Sequence, residues 1–142
     1  MLIIDPSTNT ADMTTISGLD RTADKKWSGG LLGPNNKIYA TPSSSTSVLI
    51  IDPSTNTADT STISGVVDPI ATELKWGVGA LASNGKIYCP PYHATSVLII
   101  DTTTDTIATL PITSGGTTAS KWSAGVLALN GKICASERDF KA

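Results

Sequence analysis

Apolar residues in this chain occur in short runs of about four, and segments of Ser, Thr, Asn, Gly and Pro separate one run from the next. The runs at residues 48–51 and 97–100 are rich in Val and Ile, whose β-branched side chains favour strands. No stretch repeats its apolar positions at the 3.6-residue spacing of a helix. The pattern therefore predicts an all-β protein.

The same pattern occurs three times along the chain. Residues 2–12 return unchanged as residues 49–59, and a more divergent copy begins at residue 97. Asp5 recurs as Asp52 and then as Asp101, so the spacings are 47 (52 − 5) and 49 (101 − 52) residues. Self-similarity with a period of this length is typical of repeat architectures.

Each repeat predicts four short antiparallel strands. In the second repeat, residues 76–82 form a strand of small apolar residues, residues 86–89 form the next strand, and a Pro-, Ser- and Thr-rich loop follows. The apolar run 97–100 then forms a buried strand, as residues 48–51 do one repeat earlier. A Thr-rich outer strand, for which residues 57–63 are the example, closes each unit.

The turns between these strands have recognisable residues. Asn84-Gly85 predicts a type I′ hairpin turn, which needs a positive φ at both central residues. In the turn after Asp52, the aspartate side chain can accept backbone N–H bonds and Asn56 tolerates the left-handed conformation. Both turns therefore predict antiparallel neighbours.

Four antiparallel strands repeated every 40–50 residues are typical of β-propeller blades. The sequence predicts one propeller-type repeat domain, residues 1–142, with repeat units at approximately 1–47, 48–96 and 97–142. An all-β sandwich is the alternative, but a sandwich does not require three near-identical units.

The repeat also resembles known propeller families. The sequence Lys-Ile-Tyr, a loop, and then Ser-Val-Leu-Ile-Ile-Asp with Thr-Asn-Thr or Thr-Asp-Thr is similar to the YVTN, surface-layer-like repeat, which is related to kelch and NHL repeats. The closest resemblance is to repeats of uncharacterised algal and protist proteins. The resemblance covers essentially the whole chain and implies a binding or structural platform. The Lys-Trp pair and the longer unit depart from the YVTN pattern.

Three blades are too few for a closed propeller, which typically has four to eight. The repeat phase predicts that each end of the chain is a half-blade: residues 2–16 lack the two inner strands, and residues 122–135 lack the two outer ones. Three interpretations stay open here. The chain is a fragment of a longer repeat protein, or two or three copies close a ring, or copies join into a filament.

Composition excludes several classes of partner. Charged residues make up 15% of the 142 residues, the net charge is −2 and the pI is about 5.1. A nucleic-acid partner is not expected, because no basic footprint exists. Membrane insertion is not expected either, because the longest apolar runs have only the length of a strand. The Ser- and Thr-rich, weakly charged sequence favours an extracellular or cell-surface setting.

The chain predicts no metal site and no cofactor. Cys89, Cys134 and the single histidine, His93, are too few for a zinc site. We expect both cysteines to be small buried side chains, and we expect no disulfide, because their aligned positions face opposite ways on a strand.

The recurrent Lys-Trp pair is the candidate ligand-binding feature. The tryptophans are candidate stacking platforms for sugars and the lysines are candidate hydrogen-bond donors, although the alternative is that each tryptophan fills the gap between neighbouring blades. The six residues are Lys26, Trp27, Lys75, Trp76, Lys121 and Trp122. Loops that differ between repeats, such as 18–25, 65–74 and 90–96, lie on one face and are a second place for binding.

No catalytic signature accompanies these residues. His93 has no nucleophile motif beside it, and the spacing of Asp20, Asp24, Asp68 and Glu73 does not indicate a catalytic carboxylate pair. The sequence therefore predicts a non-enzymatic structural or interaction module that assembles through its blades into a ring or filament. Its expected partners are copies of itself or further repeats of a longer chain. The alternative function is a carbohydrate-binding, lectin-like propeller with glycan partners.

Overall fold

The computed structural model describes residues 1–20, 22, 24–113 and 121–137, and these residues contain twelve β-strands and no helix. The sequence also predicts variable loops at 114–120 and 136–142; the first of these, residues 138–142 of the second, and residues 21 and 23 of loop 18–25 lie outside the described residues. The strands in chain order are β1 (Ile3–Asp5), β2 (Thr10–Asp12), β3 (Trp27–Leu32), β4 (Ile38–Pro42), β5 (Leu49–Asp52), β6 (Thr57–Asp59), β7 (Ala80–Leu81), β8 (Lys86–Cys89), β9 (Ser96–Asp101), β10 (Thr106–Pro111), β11 (Trp122–Leu127) and β12 (Ile133–Glu137).

The strands form four antiparallel sheets in sequence order. Strands β3-β4-β5-β6 form the first full sheet and β7-β8-β9-β10 form the second full sheet. Strands β1-β2 form a first half-sheet, and β11-β12 form a last half-sheet. The predicted all-β, antiparallel architecture is confirmed, and no sheet closes on itself among the described strands.

The two full sheets share one register. In the first, Ile38 pairs with Ile51 and Ala40 pairs with Leu49. In the second, Ile87 pairs with Ile100 and Cys89 pairs with Leu98, which are the aligned positions. A one-residue slip would turn every side chain to the opposite face, so a common register means that equivalent residues face the same way in both sheets.

The turns after the inner strands are not type I′. The residue with positive φ is Gly85, at +78°, while Asn84 lies outside the left-handed region. The N–H of Gly85 donates to the Ala82 carbonyl at 3.0 Å, and the N–H of Ala82 donates to the Lys86 carbonyl at 2.9 Å. This is a three-residue hairpin loop with one left-handed residue before the second strand. The type I′ prediction is therefore wrong, although the hairpin itself is present.

The turns between the outer strands follow the prediction. Asn9, Asn56 and Asp105 have φ values of 53°, 54° and 51°. The carboxylate of Asp52 accepts the N–H of Ser54 at 2.9 Å, and Asp5 accepts the N–H of Ser7 at 2.8 Å. A short polar side chain thus holds each tight turn.

The outer strand of the first full sheet is shorter than predicted. It ends at Asp59, whose carboxylate accepts the backbone N–H groups of Ser61 at 2.7 Å and Thr62 at 3.2 Å. These bonds turn the chain away from the sheet. The aligned residue in the next repeat is Ala108, which has no such acceptor, and β10 continues to Pro111.

The inner strand of the second full sheet is also shorter than the predicted 76–82. Ala80–Leu81 form the continuous part of this strand; before them, Trp76 makes an isolated antiparallel bridge to Pro91, and Val78 makes a parallel bridge to Ala124 of β11. The Val78 N–H donates to the Ser123 carbonyl at 3.1 Å, and the Gly125 N–H donates to the Val78 carbonyl at 2.9 Å. The inner edges of neighbouring sheets therefore meet directly.

Sheets pack face to face through two apolar clusters. The larger lies between the two full sheets and includes Tyr39 and Ile50 from the first and Trp76, Leu98 and Ile100 from the second. The smaller lies between the first half-sheet and the first full sheet; it contains Ile16, Ala40, Leu49 and Ile51, and Met1 and Ile3 pack against it. Alternate residues of β5 thus face opposite neighbours.

The cysteines are both free. Cys89 is buried, as predicted, and its sulfur lies 3.4 Å from the Thr41 hydroxyl. The prediction of burial is wrong for Cys134, which is exposed because no described segment packs on its side of β12. No helix within the described ranges has the length and apolar content needed to span a membrane.

Candidate functional site

Trp27 and Trp122 begin the inner strands β3 and β11, and Trp76 lies at the aligned position, in an isolated bridge to Pro91 before β7. The surroundings of the three rings differ. Trp76 is buried, and its indole N–H donates to the Ser96 carbonyl at 2.8 Å. The indole N–H of Trp27 donates to the Ser47 carbonyl at 2.9 Å, and this ring is only half-buried. Trp122 is also half-buried. Two of the rings thus keep some accessible surface, whereas Trp76 keeps almost none.

Two of the three lysines, Lys75 and Lys121, bond to the loop that follows the second strand of the preceding sheet. The backbone N–H of Lys75 donates to the Ser43 carbonyl at 3.1 Å, and its side-chain Nζ donates to the Ser45 carbonyl at 2.8 Å. Lys121 repeats both bonds, to the carbonyls of Tyr92 at 3.1 Å and Ala94 at 3.3 Å. We call this pair of bonds the lysine clamp.

The lysine clamp also brings charge into the joint between sheets. Lys75 is buried, and burial lowers its pKa below the usual range, although the charge of Asp68 opposes that shift. Its Nζ lies 5.9 Å from the centre of the Trp76 ring, and the Nζ of Lys121 lies 5.7 Å from the centre of the Trp122 ring. A buried ammonium that contacts carbonyls and an aromatic face is stabilised by both.

Lys26 makes a different set of contacts. Its Nζ donates to the carboxylate of Asp20 at 2.7 Å and to the Asp20 carbonyl at 2.8 Å. The Lys26 bond, with further bonds from Thr22, lowers the pKa of the Asp20 carboxyl. The first half-sheet has only the two outer strands, β1 and β2. Among the described residues it therefore has no loop whose carbonyls could accept a lysine clamp from Lys26.

A cleft of about 430 Å³ lies beside Trp27 on the face of the variable loops. The ring of Trp27 and the ion pair of Lys26 with Asp20 form part of its wall. The remaining lining includes Leu19 and the hydroxyl-bearing residues 44–47. An aromatic surface next to several hydroxyl and charged groups is a suitable lining for a polar ligand with an apolar face.

Tyr39 makes a polar contact between the two full sheets that the sequence did not reveal. Its hydroxyl donates to the carboxylate of Asp105 at 2.8 Å and lies 3.3 Å from the Thr102 carbonyl. The amide of Asn35 donates to the same hydroxyl at 2.9 Å. Burial, assisted by Asp105, raises the pKa of Tyr39 to about 12. The recurrence of Ile-Tyr opposite Asn or Asp in the outer turn was the available signal.

The half-sheets expose apolar residues that are buried in the first full sheet. Leu2 is 55% exposed, while its counterpart Leu49 is 4% exposed. Ile4 is 66% exposed, while its counterpart Ile51 is 8% exposed. On the last half-sheet, Cys134 is exposed, although its counterpart Tyr39 is fully buried, and Val126 is 68% exposed, although its counterpart Leu31 is half-buried. Exposed apolar surface of this kind marks interaction sites.

The candidate carboxylates are engaged in local structure. Asp68 accepts the backbone N–H groups of Ile70, Ala71 and Thr95, at 3.0, 2.8 and 2.9 Å, and the Thr95 hydroxyl at 3.0 Å. Burial alone would raise the pKa of Asp68, but these bonds outweigh it and the pKa is lowered. Asp68 therefore ties loop 65–74 to loop 90–96.

The other candidates for chemistry have local contacts of their own. The Nδ1 of His93 lies 3.2 Å from the Glu73 carbonyl. Burial raises the pKa of the Cys89 thiol to about 12, which disfavours the reactive thiolate. The described part of the chain contains no group of three His, Cys, Asp or Glu side chains that could hold a metal ion.

Comparison with known proteins does not assign this chain to a family. No protein-family model matches the chain, and no curated protein matches it.

Proposed function

We propose that this chain is a non-enzymatic structural module of the β-propeller type, which assembles with further blades through its two half-sheets. Those blades are copies of the same chain or further repeats of a longer one, and they complete a ring or a filament. The observation that carries the proposal is the exposure of Leu2 and Ile4 at positions that are buried in the first full sheet.

The two half-sheets are complementary parts of one four-stranded unit. By alignment, β1 and β2 correspond to β5 and β6, and β11 and β12 correspond to β3 and β4. Strand β12 pairs only with β11, and β1 pairs only with β2, among the described strands. Each half-sheet thus has a free edge of the kind that recruits another strand.

The joints between sheets repeat, which suits a chain of blades. The lysine clamp occurs between the two full sheets and again between the second full sheet and the last half-sheet. Apolar clusters join the first three sheets in the same order. A joint that repeats with a constant geometry produces a ring if the rotation closes, and a filament if it does not.

A tandem protein tests this function. Two copies joined head to tail in one polypeptide would place β12 of the first copy directly before β1 of the second. We expect the amides of residues 133–135 and 2–4 at that junction to exchange with deuterium as slowly as those of residues 49–51. The reason is that backbone pairing protects amides in proportion to the stability of the paired structure.

The matched control is the same tandem protein with Leu2→Lys and Ile4→Lys in the second copy. These side chains are exposed in the single chain, so the substitutions leave its own fold intact. They place charges in the face that the proposed blade buries, and the junction amides should then exchange rapidly. Equally fast exchange in both tandem proteins would contradict the proposed function.

Carbohydrate binding is a second candidate function, and the cleft beside Trp27 favours it. A half-buried indole stacks well on the apolar face of a sugar ring, and Lys26, Asp20 and the serine hydroxyls are donors and acceptors for its hydroxyl groups. A glycan array with the native chain and with Trp27→Ala tests this. Sugar binding that is lost in the variant and retained in a Lys37→Ala control would support it, and an array without binding would remove this candidate.

A further inference from the structure

We infer that a second copy of this chain completes both half-sheets, so that two chains form one closed ring of six four-stranded sheets. The inference rests on the proposed function and names the partner at its free edges. Strand β12 of each copy would pair with β1 of the other, and each copy would both give and receive an outer hairpin.

The register of this joint follows from the pairing of β4 with β5 within the chain. Ile38 pairs with Ile51, Tyr39 with Ile50 and Ala40 with Leu49. The aligned residues of the half-sheets are Ile133, Cys134 and Ala135 on β12, and Ile4 and Ile3 on β1 with Leu2 directly before it. The inferred pairs are therefore Ile133 with Ile4, Cys134 with Ile3, and Ala135 with Leu2 of the second copy.

The hairpin that a second copy offers is the one that β4 already accepts. Residues 2–12 and residues 49–59 have the same sequence, and the two strands of each hairpin pair in the same register, Ile4 with Ala11 and Ile51 with Ala58. The accepting strand also agrees, with Ile-Cys-Ala at residues 133–135 against Ile-Tyr-Ala at residues 38–40. The second copy thus presents to β12 the same outer hairpin that β4 binds.

The exposed apolar residues lie on the faces that such a joint would bury. Leu49 and Ile51 of the first full sheet face the preceding sheet, and Ile50 faces the following one. By the common register, Leu2 and Ile4 face the preceding sheet, which in the ring is the second full sheet of the other copy. That sheet offers Tyr88, Val97 and Ile99, all half-buried in the single chain, to receive them.

A polar contact is available at the same interface. Tyr39 donates to Asp105 and lies close to the Thr102 carbonyl of the following sheet. The aligned tyrosine, Tyr88, has its own asparagine partner, since the amide of Asn84 donates to its hydroxyl at 3.0 Å. The residue of the second copy that aligns with Asp105 is Asn9, whose amide oxygen is an acceptor. The hydroxyl of Tyr88 would donate to it.

Two copies are the number that fits ring geometry. Pairing of β12 with β1 of the same chain would give three sheets, below the four to eight of known closed rings, and three copies would give nine. Two copies give six, and the two joints are then related by a two-fold axis. This arrangement leaves none of the four half-sheets unpaired.

Thiol cross-linking tests the pairing directly. The background variant is Cys89→Ala, because alanine occupies the aligned positions 40 and 135 and the only thiol left is Cys134. Ile3→Cys in this background places a thiol directly opposite Cys134 of the other copy. A short reagent with two thiol-alkylating groups and a reach of about 5 Å matches the Cβ separation of opposed residues. We expect a covalent dimer on denaturing gels.

Ile4→Cys in the same background is the matched control. Neighbouring residues on a strand face opposite sides of the sheet, so this thiol should not join to Cys134. A cross-link within one chain, or a ladder of higher oligomers with Ile3→Cys, would overturn the two-copy ring. Equal dimer yields from Ile3→Cys and Ile4→Cys would overturn the register.

Light scattering on the unmodified chain covers the case in which Ile3→Cys does not fold. We expect twice the 14.6 kDa chain mass, and the monomer mass for the double variant Leu2→Lys, Ile4→Lys. A monomer mass for the unmodified chain would overturn this inference. The tandem protein would then be the remaining test of the proposed function. Slowed amide exchange at its junction does not require that free copies of the chain associate.

Discussion

Individual residues at equivalent positions in this chain have different environments, and their neighbours in space explain the difference. Lys75 is clamped to the Ser45 carbonyl of the preceding sheet, whereas Lys26 pairs with Asp20. Trp76 is buried between two full sheets, whereas Trp27 has only a half-sheet beside it and lines an open cleft. Tryptophan therefore contributes to the apolar core in one repeat, at Trp76, and lines an open cleft in another, at Trp27.

Replacement of Trp76 by alanine should be the most destabilising of the three tryptophan substitutions. The indole is buried in the larger apolar cluster and its N–H bonds to the Ser96 carbonyl. We expect a loss of about 3–5 kcal/mol in the free energy of unfolding, as for other buried aromatic residues. Urea denaturation followed by circular dichroism measures it. Trp27→Ala is the matched comparison, and an equal loss there would contradict the role assigned to burial.

Cys89 should make the protein less stable in alkali. Its folded pKa is raised by burial from 9.0 to about 12, so the native state keeps a proton that the unfolded chain releases above pH 9. The stabilisation is therefore complete below pH 9 and is lost as the pH rises towards 12, by at most about 1.4 kcal/mol per pH unit.

Unfolding free energies measured from pH 7 to pH 11 would show this dependence. Cys89→Ala should remove the component that begins near pH 9, while the later loss from Tyr39, whose pKa is raised from 10.0 to about 12, remains. If the unfolding free energy of Cys89→Ala falls with pH as steeply as that of the native chain, the Cys89 thiol does not contribute to the loss of stability in alkali.

At the scale of elements, small changes in the repeat alter strand length and the contacts between sheets. Asp59 ends β6 by capping a turn, and Ala108 lets β10 continue. Gly77 allows the inner edges of the second full sheet and the last half-sheet to approach, because a Cβ there would lie 2.2 Å from the Ser123 carbonyl oxygen. The repeats are thus similar in outline but are adjusted at each joint.

Gly77→Ala should weaken the joint between the second full sheet and the last half-sheet. The added methyl group cannot fit beside the Ser123 carbonyl, so the parallel bridge between Val78 and Ala124 must open. We expect a cost of about 1–3 kcal/mol, as for other overpacked sites. Hydrogen exchange should report it at the amides of Val78 and Gly125. Ser123→Ala is the control, because the bridge uses only the backbone of Ser123.

At the scale of the whole molecule, the apolar surface of the half-sheets should link stability to protein concentration. The proposed ring of two chains would be favoured by mass action, so the melting temperature of the chain should rise by roughly 3 °C for each tenfold increase in concentration. The double variant Leu2→Lys, Ile4→Lys should melt at one temperature throughout. Calorimetry over a hundredfold range separates the two cases, and a constant melting temperature for the native chain would contradict assembly.

The sequence by itself determined the parts of this protein that local chemistry controls. Short apolar runs, β-branched residues and the turn after Asp52 specify antiparallel strands at a regular spacing, and the strands lie within the predicted segments, although β6 and β7 are shorter than predicted. Each of these features depends on residues within a few positions of one another. The uninterrupted apolar run at residues 48–51 also indicated that β5 would be a buried strand.

Only the tertiary structure decided which equivalent residues are buried and which contacts join the sheets. The exposure of Cys134, the carbonyl bonds of Lys75 and the bond from Tyr39 to Asp105 all depend on groups far away in sequence. A repeat pattern assigns the same prediction to every copy, because it contains no information on which copy has a neighbour. Burial, and with it the pKa of Cys89 and the access to Trp27, is a property of the packed sheets.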